Sequence, residues 1–297
     1  MNIFQRIFFI GCCLSSLHAK AQNTYLWKIS KATSPHISFL FGTYHKIGES
    51  FFNQYPVLKE AFNASEDIVT EVELNRQKLS LLYKDKPATD SLRQTLDPKD
   101  YQQVLHVLGD SSDKIKKLDP ESVVSRLQSR FESLNCSALQ VTDQYFLDEY
   151  IQVLAEKLNK KNHYLETVNM QLTYLEETKK KMSWSQARFY IKIILKQYSK
   201  YKKSGKTTCS LADNYTQFRL QYQLDQSCKN LNADKKKLVV QRNQKWMLLL
   251  PTLIEKNSTF ISVGLEHLHF ECGLIMQLRK LGYSVEPIPM LPADVAS

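Results

Sequence analysis

The sequence contains few of the residues that interrupt helices, and they are unevenly spaced. Only eight glycines and nine prolines occur in 297 residues. No proline lies between Pro120 and Pro251, and Gly205 is the only glycine between Gly109 and Gly264. Glycine and proline are the least favourable residues in a helix interior. A long stretch without them, rich in Leu, Lys, Gln and Glu, therefore predicts a mostly helical middle section.

Long apolar runs are also missing. Beyond the N-terminus no run approaches the roughly 18 apolar residues of a membrane helix, so we expect no transmembrane segment. Residues 1–21 have the pattern of a signal peptide: a positive charge at Arg6, a short apolar core, and a small-x-small cleavage site at residues 19–21. The mature chain, residues 22–297, is therefore expected to be exported and periplasmic or secreted. Lipoprotein processing at Cys12 is the alternative.

No nucleic-acid-binding motif accompanies the formal net charge of +10. We therefore expect no nucleic-acid partner, although a basic surface attracts other anionic partners. Residues 179–206 hold ten basic residues and no acidic ones, interleaved with aromatics. Two interpretations stay open for this segment. It is either a solvated helical hairpin whose aromatics pack inward, or a basic lid that favours an anionic substrate.

The cysteines lack the C-x-x-C spacing of zinc ribbons and thioredoxin-like proteins. Four remain after cleavage of the signal peptide: Cys136, Cys209, Cys228 and Cys272. An even number in an oxidising compartment predicts disulfides, and four cysteines allow three pairings. We expect Cys209 to pair with Cys228, because that bond closes a loop of about 20 residues and contributes roughly 3 kcal/mol.

Strand-like runs lie mainly in the outer thirds of the chain and are separated by helical patterns, which favours an α/β or α+β fold. The runs are ISFLF, DIVTEVEL, HYLE, TFISV and YSVEPI. Asp97 and Asp119 each precede a proline, a pattern typical of a helix N-cap. Thr142 or Asp143 is expected to cap the next helix. Its predicted apolar face consists of Leu147, Ile151, Leu154 and Leu158.

Histidine is scarce, and two of the seven occupy matching positions. His45 lies three residues after Gly42, and His267 lies three residues after Gly264; each glycine ends an apolar run. Glycine lets the backbone turn sharply as it leaves a sheet. If the two strands run parallel in one sheet, both turns lie at its carboxyl-end edge, where α/β proteins usually build their sites. The spacing therefore predicts that the two histidines meet.

A third strand supplies a carboxylate. In DIVTEVEL, Glu71 and Glu73 share one face with Val69. A buried charge without a partner is costly, and Glu71 lies deeper in the apolar run. Two imidazoles and a carboxylate form a plausible divalent metal site with an open position for water. The alternative is two loop histidines bonded to the backbone and a glutamate paired with Arg or Lys.

Short motifs in matching order resemble the TraB/GumN family (TraB/PrgY/GumN), which is related to the Tiki metalloproteases. They are LWKIS, SFLFGTYHKIG, EDIVTEVEL, VTDQYFLDEYIQVLAEKLNKKNHYLET, RNQKWM, FISVGLEHL and GLIMQLRKLGYSVEPI. The resemblance covers most of the mature chain. It implies a single α+β domain over residues 22–297, whose central mixed β-sheet carries both strand-Gly-x-x-His units. The large, basic helical middle section would span about residues 168–256.

Tiki-like members are metal-dependent peptidases that use two Gly-x-x-His motifs and an acidic residue. The resemblance implies a divalent transition metal (Mn, Co or Zn) at His45, His267 and Glu71, with Glu71 as third ligand or general base. It also points to Arg242, which could neutralise a buried carboxylate or hold a substrate carboxylate, and to Glu166. The expected protein is an exported metal-dependent hydrolase that acts on a peptide or small-molecule substrate through metal-activated water. The alternatives are a non-catalytic peptide- or small-ligand-binding protein, and haem or metal capture.

The chain departs from the family's pattern near the second histidine. Glu266 stands where the family often has a small residue, and Phe270 stands where it often has a glycine. Glu266 could therefore assist a metal or repel an anionic substrate, and Phe270 could narrow the approach. His269 matches the family poorly, and we assign it to the surface or to a supporting position around the site.

Overall fold

The computed structural model describes residues 24–74, 87–109, 115–139, 142–178, 181–204, 209–219 and 221–292. In these residues the chain forms an α+β fold around one six-stranded mixed sheet, as predicted. The predicted signal peptide, residues 1–21, lies outside the described residues. Within the described part of the chain, no helix has the length and apolar composition needed to cross a bilayer.

The sheet contains the five predicted strands and one more. Its strands are β1 (Leu26–Ser30), β2 (Ser38–Thr43), β3 (Asp67–Val72), β4 (Lys161–Glu166), β5 (Thr259–Gly264) and β6 (Ser284–Ile288), in the order β4-β3-β5-β2-β1-β6. The sequence analysis assigned no strand to β1. Its residues are largely buried between β2 and β6, and it runs antiparallel to both.

The four adjacent strands β4, β3, β5 and β2 run parallel to one another. In the β2–β5 ladder, Gly42 lies opposite Val263 and Thr43 lies opposite Gly264. The two strand-Gly-x-x-His units therefore leave the sheet side by side at the same edge. The two strands are thus parallel, which is the condition under which the sequence predicts that the two histidines meet.

Helices cover both the sheet and a second core. The α-helices of the described residues are α1 (Glu49–Gln54), α2 (Pro56–Ala64), α3 (Ser91–Thr95), α4 (Pro98–Leu108), α5 (Pro120–Asn135), α6 (Leu147–Lys157), α7 (Val168–Thr178), α8 (Trp184–Ser204), α9 (Ser210–Thr216), α10 (Ala233–Lys235), α11 (Arg242–Trp246), α12 (Leu250–Lys256) and α13 (Leu274–Lys280). A π-helical segment, Lys236–Gln241, joins α10 to α11. Short 3₁₀ turns occur at Ile115–Lys117, Cys228–Asn230 and Leu265–Leu268.

The predicted helix starts are correct in two of three places. The carboxylates of Asp97 and Asp119 accept bonds from backbone N–H groups three residues later, at the starts of α4 and α5. The third expectation is wrong, because α6 begins after Phe146 without a side-chain cap. The carboxylate of Asp143 instead bonds Ser50 at the start of α1. In α6 itself, Leu147 and Ile151 are buried, whereas Leu158 lies past the helix and is 47% exposed.

Two hydrophobic clusters form the interior. The larger one lies between the sheet and its flanking helices, and the second lies among α3, α4, α5 and α8. In α8, Trp184, Ile191 and Leu195 pack into this second cluster. Phe189 and Tyr190 instead face solvent, with 63% and 47% of their surface exposed. The inward-packing interpretation of the basic segment therefore holds for only part of its aromatic residues.

The disulfides differ from the expected pairing. Cys136 bonds Cys209, and Cys228 bonds Cys272. The expected Cys209–Cys228 bond is wrong because loop length was its only basis. The fold places Cys209, just before α9, beside Cys136, which follows α5 directly. Two disulfides are compatible with an exported protein.

Candidate functional site

His45 lies in the turn after β2 and is fixed by α6. Its Nδ1 lies 2.6 Å from Oδ2 of Asp148, and the hydroxyl of Thr43 donates to the other oxygen of that carboxylate. Asp148 is in the first turn of α6, which is held against the turn by a bond from Leu147 N to Ile47 O. The carboxylate of Asp148 raises the pKa of His45 to about 9, by its hydrogen bond and its charge. The imidazole is therefore oriented through Nδ1, with Nε2 on its other edge.

Gly264 allows His45 to approach the third strand. A Cβ at Gly264 would lie 3.3 Å from Cε1 and Nε2 of His45 and 3.2 Å from Oε1 of Glu71. Its backbone N–H donates to the same Glu71 oxygen at 2.6 Å. A larger residue at this position would crowd the side chains of both His45 and Glu71. Gly264 therefore allows these two side chains to lie close together.

His267 is buried in the 3₁₀ turn after β5. Its Nδ1 donates to Oδ1 of Asn243 at 2.7 Å, and the Asn243 amide donates to the carbonyl oxygens of His267 and Cys272. This pairing leaves the lone pair on Nε2, which accepts from Nη1 of Arg242 at 3.1 Å. Burial lowers the pKa of His267 to about 3. The ring also packs on Trp246, with centroids 4.2 Å apart.

Glu71 is buried and bonded through both oxygens. Oε1 accepts from the Gly264 N–H, and Oε2 accepts from Nη2 of Arg242 at 2.6 Å. Oε1 also lies 3.8 Å from Nε2 of His267. Burial alone would raise the pKa of Glu71, but His267, Arg242, His45 and the Gly264 N–H together lower it to about 2. Glu71 is therefore an ionised carboxylate at neutral pH.

Arg242 uses every donor of its guanidinium within the protein. Nε and Nη2 bond the two oxygens of Glu166, and Nη2 also bonds Glu71. Nη1 bonds the carbonyl of Leu238 and Nε2 of His267. These contacts account for all five N–H groups of the side chain. Arg242 thus neutralises buried carboxylates and has no N–H left for a substrate carboxylate.

Glu166, at the end of β4, positions Arg242. Its Oε1 also accepts from the indole N–H of Trp246 at 2.9 Å, and only 5% of the residue is exposed. Glu166 is not among the residues that line the cavity described next. It therefore acts on the site through Arg242.

A cavity of about 420 Å³ opens beside these residues. His45, Glu71, Asp148 and Arg242 are among the residues that line it, whereas His267 is not. The remaining lining is Thr70, Val72, Leu74, Phe146, Glu149, Gln152, Gln171, Tyr174, Leu175, Leu238 and Ser262. Among the described residues, none from α8 lines this cavity, so the lid interpretation of the basic segment gains no support.

The structure brings together all five predicted site residues: His45, Glu71, Glu166, Arg242 and His267. We call this set the histidine site. The sequence analysis missed Asp148, because nothing in the sequence distinguishes it from the acidic residue that follows it in the same helical turn. It also assigned no role to Asn243 or Trp246. Their only indication in the sequence was the RNQKWM motif.

Two of the neighbouring expectations need correction or refinement. His269 is not a surface residue: it is buried and contacts the rings of Tyr222 and Phe270. Glu266 points outward, where it pairs with Lys235 at 2.9 Å and keeps 58% of its side chain exposed. Phe270 has a φ of 69°, in the left-handed region that favours glycine. This backbone conformation explains why glycine suits the position.

The histidine site contains imidazole and carboxylate groups, the types of donor that bind divalent transition metals in proteins. Each imidazole is held through Nδ1 by an oxygen, the arrangement that usually supports a metal-binding Nε2. Within the described residues, however, no group of three His, Cys, Asp or Glu side chains has the spacing of a metal centre. The guanidinium of Arg242 contacts both Glu71 and His267 and contributes the positive charge between them. Because Nε2 of His267 has one lone pair, it can bind either Arg242 or a metal.

Comparison with known proteins gives a match to a family model only. No curated protein and no solved structure matched the chain. The model of the TraB/PrgY/gumN family, in contrast, matches residues 25–287, a range that includes the whole sheet up to Pro287 and every residue of the histidine site. The chain therefore belongs to the TraB/PrgY/gumN family.

Proposed function

We propose that this protein is an exported metal-dependent hydrolase that cleaves peptides. The observation that carries the proposal is that two imidazoles, of His45 and His267, lie near the Glu71 carboxylate. Each has its Nδ1 bonded to an oxygen, and Nε2 of His267 lies 3.8 Å from the Glu71 carboxylate. Their position at the carboxyl ends of parallel strands, beside a cavity, is typical of an active site.

His45, His267 and Glu71 would hold the metal, which could be manganese, cobalt or zinc. A bound divalent ion supplies a Lewis acid that polarises the scissile carbonyl and makes water more acidic. Asp148 and Asn243 orient the two imidazoles. The low pKa and the two engaged oxygens of Glu71 make it a weak proton acceptor. We therefore favour a ligand role over a general-base role for this carboxylate.

The remaining members of the site hold this arrangement in place. Arg242 balances the charges of Glu71 and Glu166, so two carboxylates can remain ionised in the interior. The apolar walls of the cavity would exclude water around the scissile bond and accept an apolar side chain. In this proposal Arg242 and Glu166 position the ligands and do not touch the substrate.

The test is metal content and peptide cleavage by the mature protein purified without chelator. We expect about one transition-metal ion per chain after equilibration with manganese, cobalt or zinc. The same preparation should cleave peptides from a library. His45→Ala should lose both properties and stay folded, because 67% of this side chain is exposed. Glu266→Gln is the matched control, since Glu266 is next to His267 but faces solvent. No bound metal and no cleavage in wild type would overturn the proposal.

A non-catalytic binding protein is the second candidate, and one observation favours it. Arg242 already supplies a cation between Glu71 and His267, so the Glu71 carboxylate has a cationic partner without a metal. In that case a ligand should raise the thermal stability through mass action. Chelators would leave its affinity unchanged, whereas a metal-dependent hydrolase would lose activity.

A further inference from the structure

Two further cavities adjoin the cavity at the histidine site, and all three share the side chain of Phe146. The second cavity, about 340 Å³, shares Phe146 and Glu149 with the first. The third, about 320 Å³, shares Phe146 and three residues of α5 with the second. The shared α5 residues are Ser129, Arg130 and Ser133. The shared lining residues place the three cavities in a row from the histidine site to the helical bundle. We call this the α5 groove.

One face of α5 forms the far wall of the α5 groove. Arg126, Ser129, Arg130 and Ser133 recur at three- and four-residue intervals, so they lie on a single face of the helix. The adjoining face of α5 packs into the second hydrophobic cluster through Val123, Leu127 and Phe131. The bundle therefore fixes α5 and presents this polar, basic face to the groove.

The junction at Phe146 is built by close backbone contacts. Phe146 forms a β-bridge with Gly48, and Leu147 N bonds Ile47 O at 2.8 Å. A Cβ at Gly48 would lie 2.0 Å from Oδ2 of Asp143, so no larger residue fits there without displacing the chain. The ring of Phe146 nevertheless keeps 54% of its surface exposed. The junction is thus pre-formed and offers an uncovered aromatic ring between the cavities.

The α5 groove carries both carboxylates and cations. The walls of its second cavity include the carboxylates of Glu149 and Asp143, together with Lys46, whose ammonium group bonds Glu132. At the far end the walls of the groove include the exposed cations Arg126 and Arg130, next to the apolar side chains of Leu108, Ile115 and Leu118. A nucleic acid or another uniform polyanion would be repelled by the acidic part. A peptide suits the groove, because it can carry apolar and acidic side chains at different positions.

We infer that the α5 groove binds an extended segment of a peptide, with an acidic side chain at Arg130. This inference rests on the proposed function for its substrate class. It adds a recognition site remote from the scissile bond, on the other side of Phe146. Charge complementarity of this kind contributes specificity and is screened by salt.

The test is binding of defined probes to the full mature chain by fluorescence anisotropy. The probes are short fluorescein-labelled peptides with Leu at one end and two Glu residues at the other, in both chain directions. Matched probes carry Gln in place of Glu. We expect the Glu probe of one direction to bind about tenfold more tightly than its Gln partner at low salt, with the difference shrinking as salt rises. Equal affinity for the Glu and Gln probes would overturn the inference.

Two charge-reversal variants show where on the protein the charge-dependent binding of the Glu probe arises. Arg130→Glu should weaken binding of the Glu probe by about tenfold and leave the Gln probe unchanged. Arg188→Glu is the control, because Arg188 is exposed on α8 and lines none of the three cavities. An equal loss in both variants would overturn the inference, since it would indicate general attraction to a basic protein.

The outcomes of this experiment are separable from those of the hydrolase test. Charge-dependent binding in wild type, lost in Arg130→Glu, would support the α5 groove even if no metal-loaded preparation cleaves any peptide. The absence of peptide cleavage would overturn only the hydrolase proposal. Conversely, the Glu and Gln peptides could be cleaved with equal efficiency and bound with equal affinity. That result would support the hydrolase proposal and overturn the inference that the α5 groove recognises an acidic side chain.

Discussion

Nδ1 of His45 lies 2.6 Å from Oδ2 of Asp148, although the two residues are 103 positions apart in the chain. The second oxygen of this carboxylate accepts from Thr43 on β2, so the carboxylate is fixed on both sides. A carboxylate bonded to Nδ1 fixes the tautomer and the orientation of an imidazole. Asp148 is therefore the residue on which the position of His45 depends most.

Replacing Asp148 with asparagine should lower the pKa of His45. The carboxylate raises this pKa to about 9 in the folded protein, and its ordinary value is 6.5. An amide can still bond Nδ1 but carries no charge, so we expect the pKa of His45 in Asp148→Asn to fall towards 6.5. NMR titration of the imidazole resonances measures the shift directly.

Glu149→Gln is the control for this titration, because it removes a carboxylate from the next residue of the same helix. We expect this variant to leave the pKa of His45 near its wild-type value. A pKa that falls equally in both variants would show that general negative charge, and not the Asp148 contact, sets the protonation of His45.

Removing Arg242 should destabilise the protein strongly. Its guanidinium pairs with Glu71 and Glu166, and all three side chains are at most about one-tenth exposed. Arg242→Met leaves two buried carboxylates without a cation. Breaking a buried pair in this way costs about 3–5 kcal/mol of unfolding free energy. Urea denaturation followed by circular dichroism measures the loss.

An exposed pair provides the comparison for Arg242. Lys235 and Glu266 form an ion pair whose side chains are 44% and 58% exposed. Lys235→Met should change the free energy of unfolding by less than about 1 kcal/mol. Adding Glu71→Gln to Arg242→Met should recover part of the stability, because it removes one unpaired charge. If the double variant is no more stable than the single one, buried charge is not the cause of the loss.

The meeting of the two strand-Gly-x-x-His units at one edge of the sheet could be predicted, because short-range sequence patterns indicate it. A buried apolar run followed by glycine three residues before histidine occurs twice, and parallel pairing brings the two units together. The partners of these histidines could not be predicted in the same way. Asp148 reaches His45 because α6 docks beside the β2 turn, and that docking depends on backbone contacts of Ile47 and Gly48 with the segment before α6.

The disulfides show the same division between local and long-range information. Loop length favoured Cys209–Cys228, because a short loop loses little entropy when it closes. The packing of helices decided otherwise, since α9 lies beside the end of α5. A local rule can therefore predict that cysteines pair, whereas the choice of partner depends on the tertiary fold.

The observed pairing makes a direct prediction for peptide mapping. Non-reducing digestion followed by mass spectrometry should recover a peptide pair joining Cys136 to Cys209 and another joining Cys228 to Cys272. Cys136→Ala with Cys209→Ala should lower the free energy of unfolding by roughly 2–4 kcal/mol, because the bond restricts the unfolded chain. Recovery of a Cys209–Cys228 peptide from native protein would contradict the structure.

His267 should make the protein sensitive to mild acid. Burial lowers its pKa to about 3 in the folded state, and the ordinary value is 6.5. Between these values the unfolded chain binds a proton that the folded chain does not, so the unfolding free energy decreases as pH falls below 6.5. One such proton corresponds to a slope of about 1.4 kcal/mol per pH unit. Urea titrations of wild type and His267→Gln at several pH values isolate this contribution. The stability advantage of wild type over the variant should shrink steadily from pH 6 to pH 4. A constant difference would show that His267 carries the same charge in both states.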